Sequence, residues 1–433
     1  MKRWNLHAEK LWLVALPFLF IPGSLYSIET RYGLWQISDF VIWPYLLLVF
    51  QAARKNRKKR LNADFVKGKM LLFVYWAILV TLLPATDVLT QGGGISSGAL
   101  LYCLLKIAKL SLYVVAGLLT CRAIASENFY REFNWAFLAG GVVVSGSILV
   151  QEFFMGGYRL SVYAMQNRID DKNILSVSMA ITMAYILGLL LAGYGSRAWR
   201  LASLGGLPFI LLGQLVSAGR GGWMAILAAA AYIAYRLRKT RILAAMAASF
   251  IIITAAYYNV PQFRSRIDET FWPDREDMAY YRMALPGTNI DAGARWLYWT
   301  KEGAKFFESP LTGRGFFNRG ASGLDPVGSH NFFIQMFLET GVVGGALMIL
   351  IFFKMWRLAR PGRMPLACWL PVRAAIVAAV VSGFSGEYFY GGVPPLVLVF
   401  AFGPAGRLRA VSAYSRMASV TASYIRKEPG QVC

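Results

Sequence analysis

Residues 328–345 read GSHNFFIQMFLETGVVGG and join a polar stretch to an apolar one. Gly328 and Ser329 interrupt the preceding chain, and Ser329 is a good N-cap, so the pattern predicts a helix that begins near His330. The free N–H groups and partial positive charge of a helix N-terminus disfavour the imidazolium form and attract anions. His330 therefore fits a general base beside an anion site. A polar residue tolerated at a membrane interface is the other interpretation.

The rest of the chain is too apolar for a soluble protein. Hydrophobic residues make up 57% of it, charged residues 15%, and the mean hydropathy is +0.47. An apolar segment of about 20 residues can cross a bilayer, and the sequence predicts an all-α polytopic membrane protein with about 12 transmembrane helices. The predicted spans are Leu11–Ile28, Ile37–Ala53, Met70–Ala85, Ala99–Ala123, Phe133–Phe153, Ile174–Tyr194, Leu201–Ala218, Trp223–Tyr235, Ile242–Tyr258, Asn331–Phe353, Leu370–Phe389 and Val393–Phe402.

Lysine and arginine are distributed unevenly between the predicted loops. Most of the 45 basic residues lie in alternate loops, the densest run being residues 54–60, RKNRKKR. By the positive-inside rule these loops and both termini are cytoplasmic. The formal net charge of +23 is then mostly this cytoplasmic excess, which indicates anionic membrane lipids as partners and not nucleic acid.

The predicted organisation has four parts. Residues 1–258 form transmembrane helices 1 to 9, residues 259–329 a large periplasmic loop with short interfacial helices, residues 330–405 helices 10 to 12, and residues 406–433 a cytoplasmic tail. The loop holds nine basic and nine acidic residues, and loops of this length are usually functional. The four cysteines lie outside the predicted external loops, so no disulfide framework and no metal site is expected.

A short glycine-rich connection, residues 217–223 (SAGRGGW), separates two predicted spans. Its three glycines let the backbone approach a ligand closely, and Arg220 can fork onto a phosphate. The alternative is an arginine that snorkels from a helix end to water.

Residues 291–310, DAGARWLYWTKEGAKFFESP, predict an interfacial helix within the large loop. Asp291 caps it, Pro310 stops it, and its aromatic residues share one face at helical spacing, as in a helix that lies on a bilayer. Arg295 falls in the first turn, near the level of lipid headgroups. The loop before the sixth predicted span adds Arg159 and Arg168 as further candidates for ligand contact.

Two lysines lie inside the fourth predicted span. Lys106 and Lys109 are three residues apart and share a helix face, either as snorkelling cations or as part of an anion route from the bilayer. Both interpretations stay open.

Glu339 lies nine residues after His330, half a turn round a helix and about 13 Å deeper. It therefore cannot orient His330 directly, and we expect a buried structural carboxylate. Gly341 and Gly345 have the G-x-x-x-G spacing, which predicts close packing against another helix.

Several of these segments resemble the O-antigen ligase and polymerase superfamily. Four such motifs, in the right order and on one predicted membrane face, are fairly specific to the superfamily, although each alone is weak. The four are His330-Asn331 followed by Glu339-x-Gly341-x-x-Gly344, residues 217–221 (SAGRG), Gly293-Ala294-Arg295-x-x-x-Trp299 and residues 309–315 (SPLTGRG). Asp171-Lys172-Asn173, which enters the sixth predicted span, also fits.

The resemblance implies a GT-C-like glycosyltransferase of the bacterial inner membrane, with a periplasmic active site and without metal, nucleotide-sugar or other cofactor. Such an enzyme would move a glycan from an undecaprenyl-diphosphate-linked donor to an acceptor. Among members of the superfamily, the O-antigen ligase is favoured, and its acceptor is a sugar of lipid A–core.

The resemblance also implies roles for individual residues. His330 would be catalytic, and Arg220 and Arg295 would bind the diphosphate. Because Ala294 stands where the superfamily often has glycine, Arg282 is a second candidate for the role of Arg295. The residues implied as structural support are Asn331 and Glu339.

Three other functions remain open. An O-antigen polymerase would use the same donor with a second lipid-linked glycan as acceptor, and a protein O-oligosaccharyltransferase would use a protein. A transporter of lipid-linked glycans should show polar residues through the midplane and often internal duplication. Here the polar residues collect on one face and no repeat is visible, which disfavours transport.

Overall fold

The computed structural model describes the chain in ten stretches and a few isolated positions. The stretches are residues 27–30, 33–55, 71–82, 97–123, 127–154, 170–217, 220–237, 302–316, 331–361 and 365–384; the isolated positions are 69, 251, 254, 255, 257–259, 261, 264 and 299. Within these residues the chain is helical apart from one short hairpin and the connecting turns.

The helices match the predicted apolar segments closely. They are α1 (Ile37–Lys55), α2 (Leu71–Leu82), α3 (Ser97–Ala123), α4 (Glu127–Phe154), α5 (Asp170–Leu191), α6 (Arg197–Ser217), α7 (Arg220–Leu237), α8 (Phe332–Leu358) and α9 (Leu366–Gly383). Three predicted spans lie largely outside the described residues. None of Val393–Phe402 is described, most of Ile242–Tyr258 is not, and of Leu11–Ile28 only the last two residues are.

Four segments within the described residues are long and apolar enough to cross a membrane. These are Tyr130–Val150, Arg197–Ser217, Phe332–Leu358 and Leu366–Gly383, with shorter apolar helices at Phe40–Ala52, Leu71–Leu82, Ser176–Leu191 and Gly221–Leu237. The prediction of a helical membrane protein is therefore confirmed, and the total of 12 spans stays a prediction.

A hairpin precedes α1 and departs from the all-α prediction. Strands β1 (Ser27–Thr30) and β2 (Gly33–Gln36) pair antiparallel, with Ile28 opposite Trp35. The predicted span Leu11–Ile28 consequently ends too late, since its last two residues belong to β1. Strands rich in β-branched and aromatic residues, separated by two residues, favour this arrangement, and an apolar window cannot distinguish it from a helix end.

Helices α5, α7 and α9 pack against one another, and α4 packs against α5 and α6. Small residues allow these close approaches, which drive helix association in a membrane. A Cβ on Gly188, near the end of α5, would lie 2.6 Å from the Cα of Pro371, near the start of α9. Helices α5 and α9 therefore run antiparallel.

The packed helices have two ends, and each end contains the starts of some helices and the last turns of others. At the first end, Arg236 of α7 stacks 5.1 Å from the ring centroid of Trp369 in α9, and Arg373 of α9 donates a 3.2 Å hydrogen bond to the carbonyl of Trp356 in α8. This end contains the starts of α4, α6 and α9 and the last turns of α5, α7 and α8. We call it the basic end because several arginines lie there. Arginines at this end include Arg131, Arg197, Arg200, Arg236, Arg357, Arg360 and Arg373.

The other end contains the starts of α5, α7 and α8 and the last turns of α6 and α9. There, the ring of Phe333 in α8 lies 5.0 Å from that of Phe384, which follows α9 directly. We call it the Asn331 end, after the residue that begins α8. All the arginines named at the basic end belong to loops that the sequence assigns to the cytoplasm, whereas the candidate residues Arg220 and Asn331 lie at the opposite end.

Candidate functional site

The start of α8 is defined by Asn331, not by Ser329 as the sequence suggested. Asn331 has an extended backbone (φ −142°, ψ 112°), and its Oδ1 accepts hydrogen bonds from the N–H groups of Phe333 at 3.0 Å and Ile334 at 3.1 Å. Asparagine is as good a cap as serine, so the choice depends on where the chain turns into the helix. His330 directly precedes the cap in the chain and lies outside the described residues.

Replacing Asn331 with alanine is expected to lower the free energy of unfolding by about 1 kcal/mol, because two N–H groups of the first turn lose their acceptor. Denaturant unfolding of the purified protein in detergent measures this change. Asn331→Asp keeps an acceptor in place and is the control, so equal losses in the two variants would contradict the capping role.

Arg220 is the first residue of α7. The helix start around it is held against two neighbours, because Gly222 lies directly on Ser176 of α5 and Gln214 of α6, where a Cβ would collide with both. The side-chain amide of Gln214 donates to the Ser176 hydroxyl, and the Ser217 hydroxyl donates to the backbone carbonyl of Gln214 at 2.8 Å. The glycine that the sequence suggested for ligand approach therefore also serves close helix packing.

The structure places Arg220 and the start of α8 at the same end of the helices. Helix α9 packs against α7, and its C-terminal Phe384 contacts Phe333 in the first turn of α8. The remaining candidates from the loops lie outside the described residues. These are Arg159, Arg168, Arg282 and Arg295.

Helix α8 is broken at Gly341, whose backbone (φ 65°, ψ −172°) lies in a region open essentially to glycine alone. A Cβ there would also collide with the carbonyl of Leu311. The expectation that Gly341 and Gly345 serve as a helix-packing G-x-x-x-G pair is therefore wrong. Gly341 instead lets the helix break around a crossing segment, and Gly345 faces Phe337 of its own helix across the bend.

At the break, three carbonyl groups and one N–H group that a continuous helix would pair internally have partners outside the helix. The Leu338 carbonyl accepts from the N–H of Arg314 at 2.9 Å, and the Glu339 carbonyl from the N–H of Gly315 at 3.1 Å. The Thr340 carbonyl accepts from the indole N–H of Trp76 in α2 at 2.8 Å. These bonds satisfy backbone groups that would be costly to leave unpaired in an apolar environment.

The N–H group at the break belongs to Val342 and donates to the carbonyl of Pro310 at 2.8 Å. Its acceptor, like the donors Arg314 and Gly315, belongs to residues 309–316, which we call the clip segment. Gly313 (φ 70°) lets the clip segment approach this closely, since a Cβ there would lie 2.5 Å from the carbonyl carbon of Glu339.

The clip segment is also attached to α2. The N–H of Phe316 donates to the Thr81 hydroxyl oxygen at 3.1 Å, and that hydroxyl donates to the Ala77 carbonyl at 2.7 Å. The ring of Phe316 is fully buried and meets Phe73 edge to face, with centroids 5.9 Å apart. Helix α2 therefore contacts both the clip segment and the break in α8.

Residues 206–349 match the family model described as O-Antigen ligase. Over these residues, about a third of the chain, the protein is similar to the O-antigen ligase family. The predicted resemblance is thus confirmed, and the family supports a ligase-like or polymerase-like glycosyltransferase activity with lipid-linked substrates. No curated protein matches the chain. The O-antigen ligase domain covers most of α6, all of α7, the clip segment and α8 to just beyond the break, whereas α2 lies outside it.

Within the O-antigen ligase domain, Glu339 occupies the turn before the break. It is fully buried, and its Oε1 accepts a 3.0 Å hydrogen bond from the Gln335 amide one turn earlier. Glu339 is therefore buried inside the protein, as expected of a structural carboxylate.

Lys106 and Lys109 of α3 are both half-buried, which fits either of the interpretations that the sequence left open.

The residues before the clip segment continue the predicted interfacial helix. Residues 302–306 are helical, and the ring of Phe306 meets Phe337 of α8 edge to face at 6.2 Å, while Phe307 is 79% exposed. Phe306 thus packs on α8 instead of facing outward. The segment from Asp291 to Tyr298, with Arg295, lies outside the described residues.

Sequence reasoning missed Trp76, Thr81 and the role of the clip segment. Trp76 and Thr81 are ordinary residues of an apolar span, and no local pattern marks them as partners of residues more than 200 positions away. The clip segment carried a signal, since residues 309–315 belong to the motifs that resemble the superfamily, but a motif does not state which backbone groups it binds.

Proposed function

We propose that this protein is an O-antigen ligase, which transfers O-antigen polysaccharide from undecaprenyl diphosphate to a sugar hydroxyl of lipid A–core. The observation that carries the proposal is the O-antigen ligase domain at residues 206–349. The grouping of Arg220 and the start of α8 at one end of the helices supports it, since a lipid diphosphate would meet both from the membrane surface.

The proposed orientation puts the Asn331 end at the periplasmic face of the bacterial inner membrane and the basic end in the cytoplasm. The arginines at the basic end support it, because positive charge is retained on the cytoplasmic side. In this arrangement residues 1–258 contain helices 1 to 9, residues 259–329 the periplasmic loop, residues 330–405 helices 10 to 12, and residues 406–433 the cytoplasmic tail. Both termini are cytoplasmic.

The proposed reaction is a single displacement at the anomeric carbon of the donor. His330 takes the proton of the acceptor hydroxyl, and the hydroxyl oxygen forms a bond to the anomeric carbon. The bond between that carbon and the diphosphate breaks, and the diphosphate leaves with the electron pair. Attack from the face opposite the leaving group inverts the stereochemistry of the product.

Arg220 and Arg295 are proposed to bind the diphosphate and to stabilise the charge that grows on it during bond breaking. Guanidinium groups suit this task because they stay protonated and bind phosphate oxygens in pairs. The charge of the leaving group is thus balanced by protein side chains, and the proposed reaction uses no metal. Arg282 is the alternative to Arg295.

A deletion strain distinguishes the ligase from its closest alternative. Loss of the ligase is expected to remove the entire O-antigen ladder from lipopolysaccharide while complete lipid A–core remains, because polymer is made but not attached. The measurement is a lipopolysaccharide gel, with the strain complemented by the wild-type gene as the control.

Other gel patterns would contradict the ligase proposal. A band of core with one repeat unit would assign the chain as a polymerase, and an unchanged ladder with loss of protein glycosylation would indicate a protein O-oligosaccharyltransferase. Glycan transfer by the purified protein from defined donor to defined acceptor would exclude a transporter.

A further inference from the structure

We propose that Trp76 and Thr81 of α2 are positioning residues that set the orientation of the first part of α8 for glycan transfer. This inference rests on the proposed function, because it assigns a kinetic consequence to contacts at the break in α8. Both residues lie outside the O-antigen ligase domain.

The break at Gly341 divides α8 into two parts. The first part, residues 332–340, is about 13 Å long, begins at the Asn331 cap and directly follows His330 in the chain. In a continuous helix, the N–H of Val342 would bind the carbonyl of Leu338, but here it donates to Pro310. The second part of α8 consequently does not fix the direction of the first part through the usual backbone bonds.

Groups outside α8 supply the missing constraint. Arg314 and Gly315 hold the carbonyls of Leu338 and Glu339, and the indole of Trp76 holds the carbonyl of Thr340. These three bonds act on three consecutive carbonyls at the end of the first part of α8. A shift of any of these donors would therefore tilt the first part of α8. The proposed base, His330, directly precedes the other end of this part.

Thr81 fixes the clip segment that carries two of these donors. Its hydroxyl oxygen accepts the N–H of Phe316 at 3.1 Å, just beyond Arg314 and Gly315 in the chain. Thr81 and Trp76 lie on the same helix, so α2 holds the break both directly and through the clip segment. Thr81 is 2% exposed, so its own hydrogen bonds are shielded from solvent.

The clip segment lies in the predicted large loop, where Arg295 precedes it by only 14 residues in the sequence. Helix α2 therefore contacts the chain segment that leads to the proposed base, His330, and the one that leads to the proposed diphosphate-binding residue, Arg295. A misplacement of about 1 Å between reacting groups can cost about 10²-fold in rate. A loss of the α2 contacts should thus reduce the rate of transfer more than it reduces donor binding.

The test measures transfer by purified full-length variants, with rates normalised to the folded fraction. Thr81→Val keeps the shape of the side chain but cannot accept from Phe316, whereas Thr81→Ser keeps the hydroxyl and is the control. Trp76→Phe keeps an aromatic ring and removes the donor to Thr340. We expect Thr81→Val and Trp76→Phe each to lower kcat about 10-fold or more, with the KM for the lipid-linked donor nearly unchanged, and Thr81→Ser to keep wild-type kcat.

A purely structural role would lower the melting temperature and leave the kcat of the folded protein unchanged. Wild-type kcat in both Thr81→Val and Trp76→Phe would therefore overturn the positioning role, as would an equal loss in Thr81→Ser. If Thr81→Val does not fold, Trp76→Phe alone decides. Absence of transfer by the wild-type protein would instead refute the proposed function, and the positioning role with it.

Discussion

Replacing His330 with alanine is expected to abolish glycan transfer while expression and folding stay normal. The imidazole is the proposed acceptor of the hydroxyl proton, and general-base help typically contributes about 10²–10⁴-fold to a rate. The start of α8 does not depend on this side chain, because Asn331 caps the helix with its own amide oxygen. The measurement is a transfer assay with purified protein, defined lipid-linked donor and defined acceptor.

The chain supplies a matched control for this experiment. His7 is the other histidine of the sequence and lies in the predicted cytoplasmic N-terminus, so His7→Ala should transfer at the wild-type rate. Turnover near the wild-type value in His330→Ala would refute the general-base assignment, even if the protein proves to be a ligase by its products.

Arg220→Lys is expected to lower transfer about 10²-fold, the loss typical when one group that stabilises transition-state charge is removed. Lysine keeps the positive charge but cannot bind two phosphate oxygens with a planar fork. The position of Arg220 at the first residue of α7 adds the partial positive charge of a helix N-terminus, which also favours a bound diphosphate. Transfer rate and donor KM are measured together.

Arg197→Lys is the control, because Arg197 also begins a helix but is exposed and lies at the basic end. It should behave as the wild type. A fully active Arg220→Lys would contradict diphosphate binding and would favour the alternative interpretation, in which Arg220 snorkels to water.

The helices of this protein were accessible to sequence reasoning because the requirement for a membrane span is local. Each segment must itself be apolar and must satisfy its own backbone, so a window of residues is sufficient to find it. The predicted span Leu201–Ala218, for example, lies almost entirely within α6, Arg197–Ser217. The hairpin formed by β1 and β2 was missed because two short strands contribute little to such a window.

The cap of α8 shows the limit of a local pattern. Ser329 and Asn331 are both acceptable N-caps, and propensity does not choose between them. The choice follows from the path of the chain, which places the Asn331 amide oxygen against the N–H groups of Phe333 and Ile334. Likewise, G-x-x-x-G spacing favours helix packing in general, but at Gly341 the adjacent clip segment imposed a break.

The sequence by itself determined that the protein is a helical membrane protein, where its apolar helices lie and that it resembles the O-antigen ligase superfamily, since each depends on residue type and order along the chain. Only the tertiary structure decided that α8 is broken at Gly341 and that its carbonyls are held by Trp76 and the clip segment. The bond from Trp76 to Thr340 joins residues 264 positions apart. Such a bond forms because two helices and a returning loop pack together, and no window of sequence contains all three.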